Sequence, residues 1–476
     1  MANLNMSNST NSEAVPFKNY NRLILGIVLG VITFWLFAQS IVNVGPAVQH
    51  SVGITPASFN LAVSLTALFS GCFIVVAGGL ADRFGRVRFT YLGFILSIIG
   101  CLCLIFAQGE VLFIIGRIIQ GLSAACIMPS TLALVKTYFQ GKNRQRALSF
   151  WSIGSWGGSG TCVLAGGAIA TYLGWQWIFI ISIICAVLGM LLLKGTPETK
   201  IEDPSSLPKF DYAGLFVFVI TLVSLNLVIT KGSTFGWTSA VTLSLATVCF
   251  VFLILFFVIE KRKASGAFID FSLFKNVPYR GATLSNFLLN SVAGTLIVAS
   301  TYTQQGRGFT SFQNGLLTIG YLVSVLCMIR IGEKILQKVG AKKPMLLGPL
   351  ITGSGIALMT LTFLPDTLYI VSVLAGYILF GLGLGFYATP SIDTAISSAP
   401  EDKVGIASGI YKMASSLGGA FGVAISASTY AAINASGQSI AISAALGLWI
   451  NVGFCLLCFT SILILVPSNA GKHKSA

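Results

Sequence analysis

Apolar residues run in uninterrupted stretches of about 20 along the whole chain, and polar residues gather in the short gaps between them. That is the length a helix needs to cross a hydrocarbon layer about 30 Å thick. With Pro, Gly and charge clusters as punctuation, fourteen spans are predicted. They begin near residues 23, 59, 88, 111, 148, 175, 212, 239, 281, 312, 344, 367, 404 and 441. A β-barrel would instead show strictly alternating segments of about 10 residues, and the chain has none. The pattern predicts an all-α polytopic membrane protein whose even span number puts both termini on one side.

Composition agrees. The chain is 55% hydrophobic with 9% charged residues, too little charge to cover a soluble surface. The net charge of +15 changes the picture through its distribution. Loops after even-numbered spans hold twenty Lys and Arg, from Arg83 through Lys142, Arg144, Arg146 and Lys209 to Lys334 and Lys403; loops after odd-numbered spans hold Lys231 and Arg307. The positive-inside rule then places both termini in the cytoplasm. The basic excess is a topology signal, so no nucleic-acid partner is expected. The polar first twenty residues lack the apolar core of a signal peptide and read as a tail. All ten cysteines fall in apolar runs and only two histidines occur, so no metal site is expected. No Walker-type phosphate loop is present, so no nucleotide or other cofactor is expected.

Two segments echo each other. "IMPSTLALV" and "YATPSIDTA" carry Pro-Ser at 129–130 and 390–391, each followed 28 residues later by Gly-Gly, at 157–158 and 418–419. "LADRFGRVR" matches "ILQKVGAKK" when Gly85 is laid on Gly340. Spans 1–6 and 9–14 therefore read as two copies of a six-helix unit, a transporter architecture. The expected organisation is a cytoplasmic tail (1–21), an N-terminal half (22–194), a central insertion with spans 7 and 8 (195–279), a C-terminal half (280–466) and a second tail (467–476).

Three motifs carry a resemblance. "GGLADRFGRVR" sets Gly78, Leu80, Ala81, Asp82, Arg83, Gly85 and Arg86 in a tight interspan loop, and it resembles the signature of the major facilitator superfamily. That family uses the loop as a latch between its two halves. "GRIIQG" places Arg117 inside span 4, with Gln120 and Gly121 following. A central arginine costs about 2.5–3.5 kcal/mol on insertion scales, so either it has a polar purpose or it snorkels outward. The run is similar to the family's R-x-x-Q-G motif, whose Arg is implicated in proton coupling. The span-5 glycines Gly157, Gly158, Gly166 and Gly167 resemble the antiporter signature, although Cys162 and Val163 stand where Gly-Pro is expected. With "GWQWIF" following, the chain is similar to the fourteen-span drug:proton antiporter branch. That implies export of amphiphilic drugs, fluoroquinolones among them, from the cell membrane by alternating access, by a monomer and without enzymatic chemistry. An importer or facilitator of the same fold is the alternative.

One departure bears on mechanism. The branch carries an Asp in span 1, where this chain has Ala38 in "AQSIVNV". Trp35, Gln39, Asn43, Asn286 and Asn290 are candidate cavity residues, with helix–helix hydrogen bonding the alternative. Asp393 is the one carboxylate that reads as lying inside a span. Lys412 lies at a matching depth in the next span, so an ion pair between them is expected in at least one state. A static pair would hold the carboxyl ionised, and a pair that opens would let protonation follow conformation.

Overall fold

A computed structural model describes residues 20–139, 147, 150–151, 153–200, 211–263, 268–400 and 403–468. Most of both tails, Lys142, Arg144, Arg146 and Lys209, and the side chain of Lys334, lie outside the described residues. Among those described, the regular structure is entirely helical.

The chain opens with α1 (Tyr20–Ile32), which continues through a π-helical stretch, Thr33–Ala38, and a 3₁₀ turn, Ile41–Asn43. Next come the short α2 (Gly45–Val52), α3 (Pro56–Phe84), α4 (Arg86–Ile105) and α5 (Glu110–Tyr138). A π-helical turn, Ile153–Gly157, leads into α6 (Gly158–Tyr172), and α7 (Gln176–Leu193) follows. The helices α8 (Tyr212–Phe235) and α9 (Ala240–Arg262) form a hairpin. Then α10 (Val277–Asn290) and α11 (Gly294–Thr301) flank a 3₁₀ turn. The remainder is α12 (Ser311–Leu317), α13 (Ile319–Val339), α14 (Lys342–Met359), α15 (Asp366–Ser397), α16 (Val404–Ala435) and α17 (Ile440–Leu465).

Twelve segments among the described residues are long and apolar enough to cross a membrane, against the fourteen expected. The other two expected spans correspond to α6, with 15 residues in its regular part, and α14, which begins with Lys342 and Lys343. Lys231 also differs from expectation: it is not in a loop but buried near the end of α8.

Packing partners repeat along the chain. In the first group α1 packs on α7, α3 and α4 on α5, and α4 on α7. In the second, α10 packs on α17, α13 and α14 on α15, and α14 on α17. The groups meet along α3 against α16 and α6 against α12. The hairpin joins at one side: α8 touches α3 and α16, while α9 rests on α8 and buries little of its surface. Without a water-driven hydrophobic effect between helices in lipid, close approach depends on small residues. A Cβ on Gly422 of α16 would stand 1.8 Å from the Ser291 carbonyl oxygen, and one on Gly418 2.1 Å from that of Phe287.

Polar ties fasten the ends. Lys403, at the start of α16, donates to Asp270 at 2.8 Å, in the turn ahead of α10. Partial burial raises the Asp270 carboxyl, but hydrogen bonds from Lys403 and Ser272 outweigh it and hold the group below its ordinary value. At the opposite end each carboxylate that opens a long helix is paired: Glu110 of α5 with Lys231, and Asp366 of α15 with Arg307. These are the two basic residues that the charge count assigned to that side.

Gly422→Val should force α16 off the Ser291 carbonyl and lower thermal stability in detergent by about 1–3 kcal/mol. Gly79→Ala, in open space on α3, should be neutral or slightly stabilising. Asp270→Asn should cost roughly 0.5–1 kcal/mol. Because the folded-state pKa is depressed, the pair's contribution is complete above the unfolded value of about 3.9 and fades only as pH falls through the folded one. Unfolding midpoints should therefore drop equally at pH 7 and pH 5.

Candidate functional site

The break in α1 organises the polar residues between the two groups. Ala38 ends the π-helical stretch, and its carbonyl accepts from Arg117 Nη1 at 2.8 Å. The same nitrogen donates to Gln120 Oε1 at 2.6 Å, and Arg117 is 0% exposed, with Nε and Nη2 unpartnered among the described residues. Arg117 therefore does not snorkel: its charge is sealed inside the first helix group. Gly121 lies so close to α3 that a Cβ would be 2.4 Å from the Thr66 carbonyl oxygen.

Beyond the break, α1 is gripped by α6. Ser40 donates to the Cys162 carbonyl at 2.7 Å, and Asn43 to that of Val163 at 2.6 Å. The glycines open this seat. A Cβ on Gly166 would meet Ser40 at 2.6 Å, and one on Gly167 the Ser311 oxygen at 2.2 Å. Gly158 stands against Trp35 and the backbone of Leu36, whereas Gly157 has only Ile153 nearby among the described residues.

Asn43 is the centre of a network spanning both groups. It donates also to the Ser311 carbonyl at 2.8 Å and accepts from Ser300 Oγ at 3.1 Å and from Asn314. Gln304 reaches its backbone oxygen at 2.8 Å. Asn43 is 0% exposed, so it seals the interface at the end remote from Tyr20 and does not line an open cavity. Asn286 is likewise packed away, donating to the Tyr411 carbonyl at 2.9 Å and accepting from Asn290. Trp35, Gln39 and Asn290 remain half-buried.

Asp393 and Lys412 are apart in this state. α15 lies against α13 and α14, and α16 against α3, α10 and α17, so these consecutive helices are poor neighbours. The Lys412 ammonium instead stands over the Trp35 ring, 5.1 Å from its centroid, across the groups. Asp393 is half-buried on α15. Near it a chain of buried hydroxyls runs from Tyr411 to Ser391 at 2.8 Å, on to Tyr387 at 2.8 Å, and to Ser285 at 2.7 Å.

The loop motif is held locally. Asp82 pairs with Arg86 at 2.8 Å, and Arg86 donates to Thr137 at 2.7 Å. Arg83 lies in the last turn of α3, and Gly78 lets α3 approach Pro129 of α5. Gly85 has φ +121°, and its missing Cβ leaves room for the Glu198 carboxylate, 2.5 Å from that position. Glu198 accepts from the amides of Val87 and Arg88 at 2.9 and 3.0 Å. Its anion thus caps the positive end of α4, a role the sequence did not signal because Glu198 lies 113 residues beyond Gly85. Asp211 and Glu260 were also missed as buried acids. At the base of the α8–α9 hairpin each keeps an unpartnered oxygen, and Asp211 pairs with Lys263.

Asn43→Ala would leave Ser300 and Asn314, and the Val163 and Ser311 carbonyls, each without one buried partner, at about 1–3 kcal/mol per group left unsatisfied. The seal should loosen. Labelling of a Ser311→Cys variant by an impermeant maleimide, read at that position by mass spectrometry, should accelerate roughly tenfold, the factor that 1.4 kcal/mol sets.

The model of the Major Facilitator Superfamily matches residues 24–423. The chain is 57% identical over 453 residues to the quinolone resistance protein NorB of Staphylococcus aureus strain MRSA252, covering 95% of this chain and 97% of that protein; NorB of strain JH9 gives the same figures. Among solved structures, the POT family transporter PepTSo superposes with a TM-score of 0.68 at 16% identity, covering 94% of this chain and 98% of that one. An auto-inhibited POT family peptide transporter gives 0.63 at 18%, covering 94% and 96%. At such identities these two share the fold alone. The chain is a multi-pass membrane transporter, not an enzyme, and it belongs to the major facilitator superfamily.

Proposed function

We propose that this protein exports quinolones and other amphiphilic drugs by alternating access, in exchange for protons, across the cell membrane. The observation that carries this reading is the 57% identity to a quinolone resistance protein along 95% of the chain. We place fourteen crossings in the bundle: α6 and α14 pack among the spans as their repeat counterparts do, α6 being regular over only 15 residues and α14 opening on two lysines. Both termini face the cytoplasm in this reading, and 22–194 and 280–466 are the moving halves about the insertion 195–279. The Asn43 network is then an outer gate drawn closed.

Proton coupling is assigned to Asp393, with Lys412 and Arg117. Separation of Asp393 from Lys412 in this state favours a pair that forms and breaks during the cycle over a static one. Arg117 holds the broken α1 by its Ala38 carbonyl, so a change in its charge acts directly on the span-1 backbone. One proton crossing 100 mV supplies about 2.3 kcal/mol, enough for roughly a forty-fold gradient of a neutral drug. No cofactor is needed, and a monomer suffices.

In everted vesicles from a pump-deficient strain, wild-type protein should accumulate a fluoroquinolone, and an uncoupler should abolish that uptake. Asp393→Asn should reduce the uncoupler-sensitive component at least tenfold while drug binding persists. Full coupled export by that variant would remove Asp393 as the carrier.

A further inference from the structure

Lys412 is a cation in an unusual place. Gly71 of α3 meets Ser416 of α16 closely enough that a Cβ would be 3.1 Å away. Lys412 lies one turn earlier on that same face of α16, so it looks into the junction of the two helix groups. Its ammonium has the face of Trp35 as its neighbour and no carboxylate within ion-pairing distance among the described residues. Lys412 and Trp35 are each half-buried as residues, with the ammonium end deep in the junction, so the contact is desolvated. Gln39, on α1 beyond Trp35, is half-buried too and has no side-chain hydrogen bond among the described residues.

Trp35 is not fixed by a hydrogen bond of its own, since its indole nitrogen has no partner among the described residues. It is positioned by packing: Phe34 meets it edge-on, with centroids 5.2 Å apart, and Gly158 gives it room against α6. A buried cation resting on a π face is a placeholder interaction. A carboxylate offers the same ammonium a charge-assisted hydrogen bond, which is the stronger contact. The face of Trp35 that Lys412 leaves is then open to an aromatic ring, and the Gln39 amide can donate to a second oxygen of the guest.

We propose that Lys412, Trp35 and Gln39 form a recognition site for aromatic amphiphiles that carry a carboxylate, with Lys412 taking the carboxylate and Trp35 the ring. This rests on the export reading and narrows it: the site selects anionic and zwitterionic drugs over purely cationic ones. It also gives a substrate a means of moving the halves, because Lys412 and Trp35 belong to different helix groups and the guest exchanges a direct contact between them for a bridged one.

The test measures equilibrium binding to the purified full-length protein in detergent micelles. The probes are a quinolone carboxylic acid without a basic amine and its methyl ester, at a pH where the acid is ionised. Wild-type protein should bind the acid about tenfold more tightly than the ester. Lys412→Met should bring that ratio close to one, Lys412→Arg should preserve it, and Trp35→Leu should weaken acid and ester together. Equal binding of acid and ester by the wild type, or an unchanged ratio in Lys412→Met, would overturn the proposal. Should Lys412→Met not fold, the wild-type ratio and Lys412→Arg still decide. Uptake of the same probes into proteoliposomes tests the export reading separately: tight, acid-selective binding without transport would sink export and leave the recognition site standing.

Discussion

Everything between the two helix groups depends on the break in the first helix. A continuous α-helix from Tyr20 would satisfy its backbone internally, as lipid demands, and would show α5 only side chains. The π-helical stretch Thr33–Ala38 changes the register, and three contacts follow. Trp35 comes under Lys412, the Ala38 carbonyl receives Arg117, and Ser40 and Asn43 reach the carbonyls of α6. Helical irregularities of this kind collect at functional sites because they bring backbone groups into play.

Around that break the structure separates rigid parts from parts able to change. Arg117 is sealed with its partners in one group, and the loop motif is fastened by Asp82, Arg86 and the Glu198 cap. The contacts that cross between groups are of another kind. Asn43 holds its partners by neutral hydrogen bonds, and Lys412 rests on a π face. Such contacts are exchanged more readily than buried ion pairs, whose separation leaves uncompensated charge. The charges at the remote end are paired between neighbouring elements and not across the two groups, Glu110 with Lys231 and Asp366 with Arg307. Glu110 ties α5 to the α8–α9 hairpin, which gives that insertion a structural reason to stay docked.

Much of the site was legible before the fold was known. The rarity of charge in apolar helices singled out Arg117, Asp393 and Lys412, and the glycine spacing marked where helices approach. What could not be read was which helix faces which. Asp393 and Lys412 have matching depths on consecutive helices, yet α15 turns to α13 and α14 while α16 turns to α3. Asn43 and Asn286 looked alike as polar residues one turn from another amide, and in this state both are tied between helices by hydrogen bonds. Glu198, Asp211 and Glu260 were hidden because basic loop residues surround them in the sequence.

The sequence by itself determined the class of structure: apolar runs of bilayer length admit only helices, and the sparse charges limit where chemistry can reside. It also determined family membership, through motifs whose geometry tolerates little change, such as Gly85 at positive φ beneath a carboxylate. Tertiary structure decided the partners. Helical periodicity fixes which residues share a face, but the neighbour that a face meets depends on packing of many small residues across distant segments. That is why Lys412, assigned by sequence to a carboxylate on the next helix, stands in this structure over an aromatic ring 377 residues earlier in the chain.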